Sequence, residues 1–123
     1  MQRLILNSAM DAVIIIDEEG LITFWNQQAE QIFGWNEQEV LGINLTDTFV
    51  PHELRASFKK GLEKLLSGDD RTILNKRIEI NGLHRNGNNI PLEVNLTIIH
   101  QSGGSIVCGF VRDLTEVKKA EAL

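Results

Sequence analysis

Cysteine is nearly absent, since the 123-residue chain has only Cys108, and one cysteine cannot form an internal disulfide. An oxidising compartment therefore would not stabilise the fold through a disulfide bond. No apolar run approaches the roughly 18–20 residues that span a bilayer. The apolar start of residues 1–7 is too short for a signal peptide. We therefore expect a cytoplasmic segment that does not insert into a membrane, whether alone or as the cytoplasmic part of a membrane protein.

Motifs of catalysis and metal binding are also lacking. The sequence has no H-E-x-x-H, no C-x-x-C and no glycine-rich phosphate loop. The acidic pairs Glu18-Glu19 and Asp69-Asp70 fall in turns, where we expect solvated side chains. We predict that the chain is not an enzyme and has no metal site. A net charge of -5 disfavours nucleic acid and anionic membranes as partners.

What the sequence does contain fits one small domain. Hydrophobic residues make up 42% of the chain and charged residues 24%, which is a typical globular balance. At this length a chain buries about two-thirds of its unfolded surface, enough for one genuine core.

The first half predicts a hairpin followed by helices. Residues 1–10 suggest a helical lead-in, and the β-branched run 12–16 predicts a strand that turns at 17–20 and returns over 21–26. Residues 27–33 predict a helix ending at Gly34, and Asn36 is a candidate cap for a second short helix over 37–41. Pro51 then opens a longer helix that reaches Ser67.

The second half changes to the alternating pattern of strands. We predict strands at 73–80, 90–99 and 106–111, with a turn at 86–89. Asp113 or Thr115 is expected to cap an exit helix over 116–123. The chain thus divides into a lead-in (1–10), a core (11–112) and an exit helix (113–123). We predict an α+β fold, with a five-stranded antiparallel sheet and helices on one face.

The order of these elements and their motifs resembles the PAS family of signalling domains over nearly the whole chain. The opening hairpin DAVIIID at 11–17 is followed by WNQQAEQIFGW at 25–35, which is similar to the family's N-x-x-A-E-x-x-F-G-aromatic helix. EVLG at 39–42, GLHRNG at 82–87 and GFVRDLT at 109–115 match later family segments. The resemblance implies a sensory module of a larger protein, such as a histidine kinase or a cyclic-dinucleotide enzyme.

A PAS fold holds its ligand between the inner sheet face and the helices. Strand alternation assigns six residues to that face, and the long helix supplies two more from the opposite side. The expected set is Phe58, Leu62, Ile78, Ile80, Val94, Leu96, Val107 and Gly109. Two interpretations stay open, which are a pocket for a small apolar or planar ligand and a filled, cofactor-free core in a dimerisation module.

The resemblance also bears on cofactors. The last strand is similar to that of oxygen-sensing haem PAS domains, but Phe58 stands where their axial histidine is expected, so we disfavour haem. Leu45 replaces the cysteine of light-sensing relatives, which disfavours a covalent flavin adduct. A redox or gas sensor with non-covalent flavin or haem remains an alternative.

Two further surfaces are assigned from the pattern. Phe110 is expected on the outer sheet face, where Leu4 and Ile5 of the lead-in could cover it or a second copy could form a homodimer. The exit motif Asp113-Leu114-Thr115 resembles the family's junction with a covalently linked output domain. We expect it to carry the signal.

Overall fold

The computed structural model describes residues 11–68 and 74–122. The predicted helical lead-in, with Leu4 and Ile5, lies outside the described residues, as does the acidic pair Asp69-Asp70. Within the described part the architecture is α+β, which confirms the predicted fold class.

One five-stranded antiparallel sheet has the order β2-β1-β5-β4-β3. Its strands are β1 (Ala12–Ile16), β2 (Ile22–Trp25), β3 (Arg77–Leu83), β4 (Asn89–Gln101) and β5 (Gly104–Asp113). The last strand therefore lies in the middle of the sheet and pairs with both β1 and β4. The central strand, β5, is therefore also the strand that directly precedes the C-terminal helix.

The predicted β1–β2 hairpin is present, and its turn is fixed by one side chain. Asp17 Oδ1 accepts hydrogen bonds from the N–H groups of Glu19 at 2.9 Å and Leu21 at 3.0 Å. Gly20 takes the left-handed conformation, with φ of 84°. Leu21 forms an isolated bridge with Asn44, and the second strand begins one residue later than predicted.

Asn26 joins the hairpin to the first helix, α1 (Gln27–Phe33). Its Oδ1 accepts from Ala29 N–H at 3.0 Å, which caps the helix, and from Val13 N–H at 2.9 Å. Its Nδ2 donates to the Asp11 carbonyl at 3.2 Å. The side chain is fully buried, so these bonds replace the water that it loses. The predicted end at Gly34 is confirmed.

The remaining helices cover the inner face of the sheet. Asn36 caps α2 (Glu37–Val40) through a reciprocal capping box with Glu39. The helix predicted to open at Pro51 begins as a 3-10 turn (His52–Leu54), and α3 (Arg55–Ser67) follows. Proline fixes its own φ but contributes no N–H, which is compatible with this tighter first turn.

The third strand begins four residues later than the predicted start at 73, a residue outside the described range. Leu74 makes an isolated parallel bridge with Leu96 instead. Asn75 then turns the chain with φ of 59°, a conformation that asparagine tolerates better than most residues. The antiparallel register starts only at Arg77, opposite Asn95.

The exit helix, α4, runs from Thr115 to Glu121. Its cap position is Leu114, whose apolar side chain accepts no hydrogen bond, so the predicted cap assignment to Asp113 or Thr115 is wrong in position. Asp113 nevertheless helps the helix to start, because its Oδ1 accepts from Thr115 N–H at 2.8 Å.

The core lies between the inner sheet face and the helices. Trp25 and Phe33 pack there with ring centroids 5.5 Å apart, and Phe49 stacks on Phe33 at 4.6 Å. Leu65 of α3 is fully buried and closes this layer. Among the described residues no helix is long and apolar enough to cross a membrane.

Candidate functional site

A small cavity of about 50 Å³ lies between α3 and the centre of the inner sheet face. Strands β1, β3, β4 and β5 form its floor, and α3 with the preceding loop forms its roof. Its walls are apolar side chains and one glycine. The lining residues are Ile14, Ile16, Leu45, Phe49, Phe58, Leu62, Ile80, Val94, Leu96, Val107, Gly109 and Val111. We call this space the interior cavity.

Seven of the eight residues that alternation assigned to this space line it. They are Phe58, Leu62, Ile80, Val94, Leu96, Val107 and Gly109. The eighth, Ile78, pairs with Val94 in the sheet and shares its face, but of the two β3 isoleucines only Ile80 lines the cavity. Alternation therefore identified the face correctly, and it could not say how far the cavity extends across it.

The sequence prediction missed the contribution of the first strand and of the loop. Ile14 and Ile16 pair with Gly109 and Val107, so the same alternation along β1 could have identified both. Phe49 reaches the cavity from an irregular segment that has no periodicity. No sequence pattern indicated that contact.

The lining gives the interior cavity no charge and no side-chain hydrogen-bonding group. Cys108 points to the opposite sheet face, and burial raises the pKa of its thiol above the ordinary value of 9.0. No residue of the lining offers a side-chain nitrogen, sulfur or oxygen ligand to a haem iron. The walls and the volume therefore do not fit haem. They also provide no cysteine for a flavin adduct.

A second apolar space adjoins the interior cavity on the outside of the domain. This side groove has a volume of about 220 Å³ and lies between α3 and the edge strand β3. Its walls are Val50, Leu54, Ser57, Phe58, Ile80 and Asn81. Phe58 and Ile80 line both spaces.

The outer sheet face carries a shallow polar cleft of about 390 Å³ around Phe110. The Phe110 side chain is 39% exposed. Ion pairs flank it, since Arg112 Nε lies 3.2 Å from Asp11 Oδ1 and Arg77 Nε lies 3.9 Å from a Glu93 oxygen. The predicted position of Phe110 on this face is thus observed.

Leu114, the central residue of the exit motif, attaches the motif to the sheet. Leu114 is buried, and its N–H donates to the Pro91 carbonyl at 2.8 Å. Asp113 Oδ1 also accepts from the Thr115 hydroxyl at 2.5 Å. Farther along α4, Lys118 Nζ lies 3.1 Å from Glu79 Oε2. The exit helix is therefore attached to β3 and β4, the strands next to the cavity.

The tryptophans and histidines lie away from the interior cavity. Trp25 Nε1 donates to the Trp35 carbonyl at 2.9 Å, and the Arg85 guanidinium lies 4.5 Å from the centroid of the Trp35 ring. His84 accepts from Asn86 N–H in the β3–β4 hairpin, and His100 pairs with Ser105 at 2.8 Å. In the described part of the chain no cluster of three metal-ligating side chains occurs.

Comparison with known proteins places these features in a family. A family model described as the PAS fold matches residues 1–114. The sensor protein FixL of Bradyrhizobium diazoefficiens is 31% identical over 98% of this chain and 24% of its own length. The cell-division control histidine kinase PdhS of Brucella ovis is 30% identical over 97% of this chain and 11% of its own length.

An uncharacterized protein of Azorhizobium caulinodans is 30% identical over 94% of this chain and 16% of its length. The chain thus spans between 11% and 24% of these relatives. Among solved structures, a PAS domain from Desulfitobacterium hafniense has a TM-score of 0.74 at 17% identity, covering 89% of this chain and 97% of its own. The PAS domain of the Cronobacter turicensis quorum-sensing receptor RpfR, in complex with C12:0, has a TM-score of 0.70 at 20% identity, covering 88% and 97%.

Proposed function

The chain belongs to the PAS family of signalling sensor modules, and from that premise we propose that it senses a small apolar ligand in the interior cavity. We further propose that the module regulates a covalently linked histidine kinase domain and has no catalytic activity of its own. We also propose a cytoplasmic location, because the chain's single cysteine cannot form the internal disulfide that an oxidising compartment would favour. The relative PdhS, a histidine kinase, supports the kinase assignment, and the sensor protein FixL supports the sensory role; this chain covers a minor part of each.

The observation that carries this proposal is the position of the cavity relative to the exit. Val107, Gly109 and Val111 line it from β5, and that strand ends at Asp113. A ligand that pushes against these residues displaces the strand that positions Leu114 and Thr115. Such a displacement changes an output only if the exit helix has two arrangements that the ligand stabilises differently.

Mutation of Asp113 in the full-length protein tests the relay. Asp113→Ala removes the acceptor for Thr115 N–H and its hydroxyl, and both lie in solvent-exposed surroundings. The free energy of unfolding should fall by at most about 1 kcal/mol. The autophosphorylation rate should nevertheless change, whereas Asp47→Ala, at another exposed aspartate, should leave it unchanged. An unaltered rate in Asp113→Ala contradicts the relay through the exit motif.

We also propose that the module forms a homodimer through the outer face around Phe110. An exposed aromatic side chain flanked by ion pairs on neighbouring strands supports a self-complementary contact. Sedimentation of Phe110→Asp should show a monomer where the native chain shows a dimer. Leu41→Asp, on α2 and 43% exposed, is the matched control and should remain dimeric. Equal sedimentation of the native chain and Phe110→Asp contradicts this interface.

A second candidate is a cofactor-free dimerisation module with a filled core. The small volume favours it, because ordinary ligand sites enclose about 300–1,000 Å³ and the interior cavity measures about 50 Å³. Absorbance and native mass spectrometry of the purified protein separate the two candidates. A bound apolar molecule supports the sensor, and a bare chain that rejects apolar probes supports the filled core.

A further inference from the structure

Two neighbouring apolar spaces in this domain share two lining side chains, Phe58 and Ile80. The interior cavity and the side groove have different linings, and they share only Phe58 and Ile80. Of these two spaces, Leu62 lines only the interior cavity and Leu54 lines only the side groove. Whatever passes from one space to the other must displace the shared pair.

The elements that carry the shared pair favour such a displacement. Phe58 follows Leu54 and precedes Leu62 at helical spacing, so the three side chains follow one face of the helical segment from the surface to the interior. Ile80 lies on β3, which is the edge strand and pairs only with β4. Both side chains are only partly buried, in contrast to the closed layer around Leu65. Rotation of a partly buried ring disturbs fewer contacts than rotation inside a close-packed core.

The sizes of the two spaces suggest that they act together. Volumes of about 50 and 220 Å³ are each below the roughly 300 Å³ of a small-molecule site. With the Phe58 ring turned aside, they join into one apolar channel whose volume includes the space that the ring leaves. The inner part of this channel reaches across β5 to Ile14 and Ile16 of β1, and its outer part is the groove at the edge strand β3.

The chemistry of the walls differs between the two ends. The inner end has no polar side chain, whereas the groove carries Ser57 and Asn81. A ligand that fills the channel therefore needs a narrow apolar part and one polar end. We propose that Phe58 and Ile80 form a gate, and that the ligand is an amphiphile with one unbranched alkyl chain. The chain replaces the Phe58 ring in the interior, and the polar end stays beside Ser57 and Asn81.

This inference rests on the proposed ligand-sensing function, but the gate is testable without any signalling assay. Xenon is a small apolar probe that enters dry protein cavities, and its exchange with the 123-residue chain is measurable by xenon NMR. Phe58→Ala should accelerate exchange by at least about tenfold, equivalent to ~1.4 kcal/mol of barrier. Leu62→Ala enlarges the interior behind an intact gate and is the matched control, whose exchange rate should stay within about twofold of the native rate.

Phe58→Leu guards against a folding defect, since it keeps an apolar side chain while removing the ring, and should give an intermediate rate. Phe58→Trp should slow the exchange. Equal rates in Phe58→Ala and Leu62→Ala overturn the gate, even if the module still regulates a kinase.

The alkyl chain is tested by calorimetric titration with dodecanoate. Phe58→Ala should bind it with an affinity at least about tenfold higher than the native chain, because it no longer has to displace the ring. Naphthalene, which is planar and lacks a polar end, should gain less. Failure of Phe58→Ala to bind dodecanoate, or tighter binding of naphthalene, overturns the amphiphile. Failure of Asp113→Ala to alter kinase output would instead refute the relay and leave the gate standing.

Discussion

Replacing Gly109 with alanine probes the interior cavity with a single methyl group. Gly109 lies in the middle of β5, pairs with Ile14 and Leu96, and lines the cavity. A Cβ atom at this position would lie 3.4 Å from Leu96 Cδ2 and 3.7 Å from the Ile14 carbonyl oxygen. These are ordinary van der Waals distances, so the methyl group enters unfilled space. We expect Gly109→Ala to stabilise the fold.

The magnitude follows from two terms of the same sign. Alanine is favoured over glycine inside a strand by about 0.5–1 kcal/mol, because glycine loses more backbone entropy on folding. Burial of one additional methyl group contributes about 0.8 kcal/mol. A slight shift of Leu96 offsets part of this gain. The free energy of unfolding should therefore rise by roughly 1 kcal/mol, and Tm by about 4 °C for a domain of this size.

Gly82→Ala is the matched control, because it makes the same change at another buried strand glycine. Here the added Cβ would lie 2.5 Å from Leu92 Cδ1 and 3.3 Å from Leu92 Cγ. Leu92 is fully buried and cannot move away without disturbing its neighbours. Overpacking of this kind costs about 1–3 kcal/mol. The two substitutions should therefore change stability in opposite directions.

Urea unfolding followed by tryptophan fluorescence measures both variants, since Trp25 is buried in the core. The midpoint should rise for Gly109→Ala and fall for Gly82→Ala, with unchanged slopes. A destabilised Gly109→Ala refutes the unfilled space at the centre of the sheet. The same variant should weaken the binding of dodecanoate, because the methyl group occupies the inner end of the channel.

Three further predictions concern single contacts. Asn26→Ala should lower the free energy of unfolding by about 3 kcal/mol, because it removes a helix cap and leaves buried backbone groups unpaired; Asn36→Ala, at an exposed cap, should cost about 1 kcal/mol, and equal losses in urea titrations would contradict the special role of Asn26. Gly61→Ala, at an exposed position of α3 where a Cβ meets nothing within 4 Å, should raise the free energy of unfolding by about 0.5–1 kcal/mol. An unchanged free energy in urea titrations would contradict this helix-propensity argument. Because the folded pKa of Cys108 is raised above its unfolded value, its contribution to stability is complete below pH 9.0 and is lost as the pH rises through the folded pKa; Cys108→Ala should lack that alkaline loss, and identical pH profiles would contradict the burial of the thiol.

The sequence predicted those parts of the fold that local chemistry determines. Gly34 ends α1 as expected, because a left-handed glycine acts within a few residues of itself. The cap at Asn26 is an equally local effect, which the sequence prediction missed. Strand alternation placed Phe110 and the cavity residues on opposite faces, since the period of two is a property of the strand itself.

Boundaries that depend on distant partners were predicted less well. The start of β3 depends on Leu96, which pairs with Leu74 from across the sheet, and no local pattern announces that bridge. The exit helix begins at Thr115, because the buried Leu114 and its bond to Pro91 fix the preceding residue. Both are tertiary effects that override local signals.

The sequence predicted which residues share the inner sheet face, and the structure shows which of them enclose a cavity. Alternation identified which side chains of β4 and β5 point inward, but the extent of the cavity depends on how α3 and the loop around Phe49 pack on the sheet. Shape of this kind is set by the sum of many side-chain volumes. For the same reason, no sequence pattern indicated that Phe58 and Ile80 line two neighbouring spaces.

Amide hydrogen exchange, measured while dodecanoate fills the interior, tests most directly whether the cavity and the exit motif are coupled. Titration should first shift the methyl NMR signals of Val107 and Val111, and then change the exchange rate of the Leu114 amide at least about fivefold, or ~1 kcal/mol of local opening free energy. The Ala29 amide, held by Asn26 away from the cavity, should keep its rate. Shifted valine signals with an unchanged Leu114 amide would contradict the account, as would the absence of any shift at saturating dodecanoate.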